Sequence, residues 1–191
     1  SGKLHTLKYL MDNGTWGYLK SCIPYVTFPA WKCYSTGKNP GKLGVFWWAE
    51  INFNKGKLRF YNSRSFHSRE YWDYLSDKGI RVGIVNMPTT YPPKRVNGFM
   101  ISGFPCSDSD EYTYPANLKH ELVKKYNYRI APLHHARAYK KEFFKEINEL
   151  IKQRFLVAHE YLNKVDLLHL TLFWIDEAQH FFWYEKEALL K

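Results

Sequence analysis

Short apolar runs alternate with amphipathic stretches along the chain, and their spacing predicts most of its elements. Leu4, Leu7, Leu10 and Met11 recur at helical spacing, and Asn13-Gly14 ends that helix. Residues 16–23 read as a short strand closed by Pro24. Residues 28–36 read as a helix with Pro29 in its first turn and Gly37 at its end. Lys38-Asn39-Pro40-Gly41-Lys42 is a turn-rich loop. Residues 45–53 and 58–61, joined by Asn54-Lys55-Gly56-Lys57, predict a β-hairpin. Residues 69–78 predict a helix stopped by Gly79.

The β-branched run at residues 80–85 suits a buried parallel strand, and residues 86–93 then read as a proline-rich loop at its carboxyl end. Residues 115–126 form a further predicted helix. A long one follows over residues 136–162, with Phe143, Phe144, Ile147, Leu150, Ile151 and Phe155 on one face. At about 1.5 Å per residue it is about 40 Å long, enough to cross a sheet. Residues 165–175 are the most apolar predicted strand, and residues 178–190 a closing helix.

Strands alternating with helices define an α/β class with a largely parallel sheet flanked by helices. The expected domain is single, over residues 1–191, with a hairpin excursion near residues 45–61. Ligands in such sheets sit outside the carboxyl ends of the strands. That edge collects the turn at residues 25–27, the loop from Asn86 and the turn at Asp176.

Composition narrows the class. The chain has 191 residues, 45% hydrophobic and 18% aromatic, which excludes a disordered chain. No stretch reaches the roughly 18 apolar residues of a spanning helix, so no membrane partner is expected. The net charge is +10, but the bases are scattered from Lys3 to Lys191. Scattered bases describe a solvated surface, and the same positive field favours an anionic small substrate. Nucleic-acid binding remains an alternative. Self-association is left open. Three cysteines at wide spacing, without a CxxC pair, argue against a zinc ribbon or a disulfide framework. They read as small reduced core residues in a cytoplasmic setting. Ser1-Gly2-Lys3-Leu4 leads into an amphipathic helix and not into an apolar signal region, and the lack of an initiating Met suggests that a longer product begins upstream.

Two places carry candidate chemistry. Thr27 stands just before Phe28-Pro29, where a hydroxyl can cap the helix. The same position can hold an anion, because the first amides and the dipole of a helix attract negative charge. Asp176 and His180 are four residues apart, one helical turn, so a carboxylate and an imidazole can share one metal ion. Glu177 and Gln179 face away. His134 and His135 read as surface groups, and His159 and His169 as satisfied structural histidines. TGKNPGKLG, residues 36–44, lacks the spacing of a phosphate-binding P-loop, and no G-x-S-x-G elbow occurs.

The run IPYVTFPAWKCYSTGKNPGKLG, residues 23–44, resembles the nucleophile region of the type I phosphodiesterase/nucleotide pyrophosphatase family, within the alkaline phosphatase superfamily. VGIVNMPTTYPP (residues 82–93), NGFMISGFP (residues 97–105) and DEAQHFFW (residues 176–183) resemble later segments of a prokaryotic, notably archaeal, branch of it. The resemblance implies an alkaline-phosphatase-like fold and a metal-dependent phosphoester hydrolase acting on a small-molecule phosphoester through two divalent metals, zinc or else manganese. It makes Thr27 the nucleophile and a metal ligand, and Asp176 and His180 two ligands of the other metal. Against the family pattern the chain looks truncated at both ends, lacking an early acidic ligand and a later Asp-His pair and His. Only Thr27, Asp176 and His180 of the usual metal shell are present, so the chain alone is expected to hold two metals poorly. Leu43 stands where the branch has His, and residues 45–48 offer no phosphate-holding Asn. Lys42 and Tyr91 are the candidates for the substrate side. The alternative to turnover is a phosphate-ligand-binding remnant of the same fold.

Overall fold

A computed structural model describes residues 4–52, 54 and 56–183. In chain order the elements are α1 (His5–Asn13), α2 (Thr27–Thr36), α3 (Pro40–Leu43), β1 (Ala49–Asn52), β2 (Lys57–Phe60), α4 (Tyr71–Asp77), β3 (Val82–Met87), β4 (Gly98–Ser102), β5 (Thr113–Tyr114), α5 (Leu118–Tyr126), α6 (Lys140–Tyr161), β6 (Leu167–Leu170) and α7 (Trp174–Phe182).

The main sheet has the order β5-β4-β3-β6. β3 runs parallel to both β4 and β6, and β5 closes one edge antiparallel. The largely parallel α/β sheet expected from the sequence is therefore present. β3 is buried along its whole length, which is why VGIVNM reads as a nearly continuous apolar run. Period-two alternation, shifted by one position at the irregularity between Val85 and Met87, then splits the core. Val85, Phe99 and Ile101 pack against Leu118 and Leu122 of α5 and Val157 of α6. On the opposite face Ile84, Met87 and Met100 pack against Trp72 of α4, with Trp31 of α2 beside them. Two glycines permit close approaches. A Cβ on Gly98, at φ 133, would stand 2.2 Å from the Val82 carbonyl oxygen, and one on Gly103 would stand 2.3 Å from that of Asn86.

Several expectations need correction. Residues 16–23 form no strand: Tyr18 and Leu19 are 98% and 95% exposed, because β propensity without a neighbouring ladder fixes nothing. α1 forms as expected but buries none of its residues. The strand expected over residues 165–175 is limited to Leu167–Leu170, and the chain enters α7 at Trp174. β3 continues to Met87, two residues into the expected loop, with a register shift between Val85 and Met87 and with Asn86 at φ 55. β4, unassigned from the sequence, lies buried beside β3. The loop expected at residues 38–42 runs into α3 from Pro40, whose start is capped by the Asn39 side chain. The cysteines are half-buried and free, not core residues. Residues 184–190 of the expected last helix lie outside the described residues.

The predicted hairpin is present. Ala49, Glu50, Ile51 and Asn52 of β1 pair in turn with Phe60, Arg59, Leu58 and Lys57 of β2, as a two-stranded sheet separate from the main one. Its base joins an aromatic cluster: Phe28 of α2 meets Trp48 and Phe66 at 5.8 Å between ring centroids. Trp48 meets Phe104 at 5.4 Å, and Phe104 stacks on Phe173 at 5.2 Å. This run of rings links the start of α2 to the turn between β6 and α7.

Candidate active site

Two helix starts and one strand end converge on the carboxyl side of the sheet. Thr27 is the first residue of α2, after Val26 in extended conformation. The expectation that Thr27 itself caps the helix is corrected: Val26 holds that position, and no side chain caps the start. The first amides of a helix have no intrahelical acceptor, and Pro29 contributes none, so the amides of Thr27 and Phe28 are the free donors there. No acidic residue lies in the first turn to offset the positive end of the dipole. The start of α2 is therefore an electropositive corner with a hydroxyl on it.

Helix α2 is held in place by a buried charge network. Lys32 Nζ lies 2.8 Å from Glu70 Oε1, with side chains 1% and 4% exposed. The Ser35 hydroxyl donates to the same carboxylate oxygen at 2.8 Å, and Lys94 Nζ reaches its other oxygen at 2.8 Å. Glu70 is also the N-cap residue of α4, where the Asp73 carboxylate accepts its backbone N–H. Burial pushes the Lys32 ammonium below its ordinary pKa, and the facing Glu70 opposes that shift.

The second wall comes from β6 and α7. His169 and Thr171 lie at alternate positions leaving the sheet, and His169 Nε2 is 3.0 Å from Thr171 Oγ1. The His169 ring packs edge-on against Tyr34 at 5.7 Å and beside Tyr71 at 6.2 Å. Burial lowers its pKa, which favours the neutral imidazole. Helix α7 packs through Ala178 and Phe182 onto Phe143 and Ile147 of α6. The Trp174 indole donates to the Ile130 carbonyl at 2.8 Å, and Arg154 donates to the same carbonyl at 2.9 Å. With its buried face so fixed, α7 presents Asp176 and His180 one turn apart on its exposed face, Nε2 to Oδ2 3.3 Å.

Between these walls lies a cavity of about 700 Å³ whose lining includes Thr27, Asp176 and His180, together with Tyr25, Trp31, Tyr34, His169 and Thr171. The three candidates, more than 140 residues apart in sequence at the extremes, meet at one place. Asp176 does so from the first turn of α7, not from the end of a strand. Lys42 and Tyr91 are not part of that lining. Lys42 is exposed on α3, and the Tyr91 hydroxyl donates to Asp110 at 3.2 Å. His169, read from the sequence as structural, belongs to the cavity wall. Its place on the carboxyl edge, two residues before Thr171, was the signal that could have found it.

Among the described residues, no group of three or more His, Cys, Asp and Glu side chains is placed to hold a metal ion. Asp176 and His180 offer two donors, fewer than the three or four that zinc takes from a protein. Two donors touch a single cation from one side at most. A paired-cation centre does not fit the described residues.

Fold and cavity together define a mixed α/β protein with a largely parallel sheet flanked by helices and a cavity on its carboxyl edge. The chain belongs to the type I phosphodiesterase / nucleotide pyrophosphatase family, whose family model matches residues 2–191. Membership indicates phosphodiesterase or nucleotide pyrophosphatase chemistry on small-molecule phosphoesters, in a family that is generally metal-dependent. Comparison with curated proteins and with solved structures gave no match. No described helix is long and apolar enough to cross a membrane.

Proposed function

We propose that the chain hydrolyses phosphoesters in the cavity between α2, β6 and α7, with Thr27 as the nucleophile. The observation that carries this reading is the meeting of Thr27, on an uncapped helix start, with Asp176 and His180 in one cavity. The free amides at the start of α2 would receive two phosphoryl oxygens and orient phosphorus toward the Thr27 oxygen. Attack by that oxygen would expel the alcohol and leave a phosphothreonine, which water then hydrolyses. His169 and Thr171 would hydrogen-bond the substrate from the opposite wall, with His169 neutral. Trp31 and Tyr34 give that pocket an apolar side for the ester group.

Asp176 and His180 are the residues that would hold a divalent cation. Such an ion would supply positive charge to the phosphoryl oxygens and ease loss of the Thr27 proton. The two-donor count favours one second reading, capture of a phosphate-bearing ligand without turnover.

Hydrolysis of a chromogenic bis-aryl phosphate with added Zn²⁺ or Mn²⁺ separates the two. Turnover by the parent chain, reduced about a thousandfold or more in Thr27→Ala, is the expected result, since removing a nucleophile leaves only binding and orientation effects. Equal turnover in Thr27→Ala would refute the assignment. Phosphate binding with no turnover in the parent chain would establish the second reading.

A further inference from the structure

A second cavity, of about 490 Å³, lies along α5 and the segment that follows it. None of its lining residues lines the cavity that holds Thr27. Tyr112 and Tyr128 belong to its wall, 1% and 2% exposed, with ring centroids 6.5 Å apart. The Tyr112 hydroxyl is buried and has no hydrogen-bond partner among the described residues. Lys119, His120 and Lys124 join the lining from α5, and Arg129 from the segment beyond it. Lys119 is anchored: its Nζ donates to the Asp110 carbonyl at 2.6 Å, lies 3.5 Å from Glu111 and stands 5.1 Å from the Tyr112 ring centroid. The side chains of Lys124 and Arg129 make no hydrogen bond or ion pair among the described residues. The end of α5 does not need these cations, because the Asn127 N–H already meets the Leu122 and Val123 carbonyls. Beside the Tyr128 ring, Arg154 adds a charge shielded from solvent. Its guanidinium lies 4.7 Å from the ring centroid, is 2% exposed, and donates to the Arg129 and Ile130 carbonyls and not to a carboxylate. Asp108 is the one carboxylate in the lining, and its Oδ1 accepts the Ile130 N–H at 2.6 Å. Positive charge therefore outweighs negative around a wall of two aromatic rings.

We propose that this cavity binds a phosphomonoester, with the phosphate on Arg129 and Lys124 and the organic group against Tyr112 and Tyr128. The Arg129 fork matches two phosphate oxygens, and Lys124 adds a point charge. A phosphomonoester carries close to two negative charges at neutral pH, which two unpaired cations balance, whereas a carboxylate carries one. A bare phosphate would leave most of the cavity empty, and the two rings with Val123 give an organic group an apolar surface to cover. An acceptor on the ligand would also give the Tyr112 hydroxyl the partner it lacks. One short segment joins this site to the catalytic side. The Tyr128 hydroxyl donates to Asn86 of β3, and the Ile130 carbonyl accepts from Trp174 of α7. A phosphodiesterase releases a phosphomonoester, so on the hydrolase reading the occupant is a product; the binding itself does not rest on that reading.

The test is amide hydrogen exchange of the full chain, read by mass spectrometry, with phenyl phosphate as the probe and no divalent cation. Phenyl phosphate should slow exchange over residues 118–130. In Lys124→Gln/Arg129→Gln that slowing should vanish, while any response over residues 27–36 stays as in the parent chain. Thermal melting shows whether the double variant folds. If it does not, Lys124→Gln, exposed on the last turn of α5, carries the test and should raise the half-saturating concentration about tenfold. Benzoate keeps the ring with a single charge, and inorganic phosphate keeps the charge without the ring; each should need about tenfold more than phenyl phosphate. Equal half-saturation by benzoate would overturn the phosphate assignment, and by inorganic phosphate the place of the organic group. No slowing over residues 118–130 at millimolar phenyl phosphate, or slowing that the variants retain in full, would overturn the site. The readout involves no turnover, so failure of the hydrolase reading and failure of this one are distinguishable.

Discussion

Replacing Glu70 by Gln should destabilise the chain more than replacing Lys32 by Met, although each removes one half of the same ion pair. The geometry sets the order. In Glu70→Gln the Lys32 ammonium, 1% exposed, faces a neutral amide, and the charges left nearby are the like-signed Lys94 and the Asp73 carboxylate that already pairs with Lys94. Removing one partner of a buried pair in this way costs about 3–5 kcal/mol. In Lys32→Met the Glu70 carboxylate keeps Lys94 at 2.8 Å and the Ser35 hydroxyl at 2.8 Å. The loss should then be nearer the roughly 1–3 kcal/mol of a charged hydrogen bond. For a chain of this size the Glu70→Gln loss corresponds to a fall of roughly 6–20 °C in melting temperature. The double variant Lys32→Met/Glu70→Gln should recover much of it, because no uncompensated charge is left inside. Lys32 also makes the Glu70→Gln loss depend on pH. Its folded pKa lies below its ordinary 10.5, so between those two values the unfolded chain binds more protons and stability rises with pH. The contribution is fully present above 10.5 and is lost as pH falls through the folded value. Without Glu70 to oppose burial, that window widens downward, so the deficit should shrink as pH is raised toward 10. Urea unfolding followed by tryptophan fluorescence, from neutral to alkaline pH, measures every term. A Glu70→Gln loss below about 1 kcal/mol, or a double variant that loses the sum of the singles, would refute the buried-network argument.

Other consequences follow from the same geometry. Asp176→Asn and His180→Ala, both on the exposed face of α7, should leave melting within a few degrees of the parent chain. Each should weaken divalent-cation binding by tenfold or more, read by titration calorimetry; unchanged affinity in both would remove them as ligands. Gly103→Ala would drive a Cβ to 2.3 Å from the Asn86 carbonyl oxygen. It should lose about 1–3 kcal/mol in the same unfolding assay, and a neutral result would show that the β3 and β4 ends separate easily.

Much of this arrangement is legible in the sequence, and the reason is local. Helix α6 follows from the period of Phe143, Ile147 and Leu150, and β3 from a β-branched run, because side-chain spacing along one segment reports which of its faces is covered. The one-turn spacing of Asp176 and His180 likewise needed no tertiary information. What failed was whatever depends on a distant partner. Residues 16–23 have the composition of a strand but no ladder to join, while β4, with a similar apolar run, gains one on each side. The boundary between β6 and α7 moved toward the amino end, since the strand lasts only as far as β3 offers it register, from Val82 opposite Leu167 to Val85 opposite Leu170. The cavity is the clearest case. The sequence by itself determined that Thr27 stands near a helix start and that Asp176 and His180 share a turn. Only the tertiary structure decided that these places adjoin and that His169 faces the same space. Such contacts are set by the order and twist of the sheet and by the packing of α2 and α7 upon it, which no periodicity within one segment encodes.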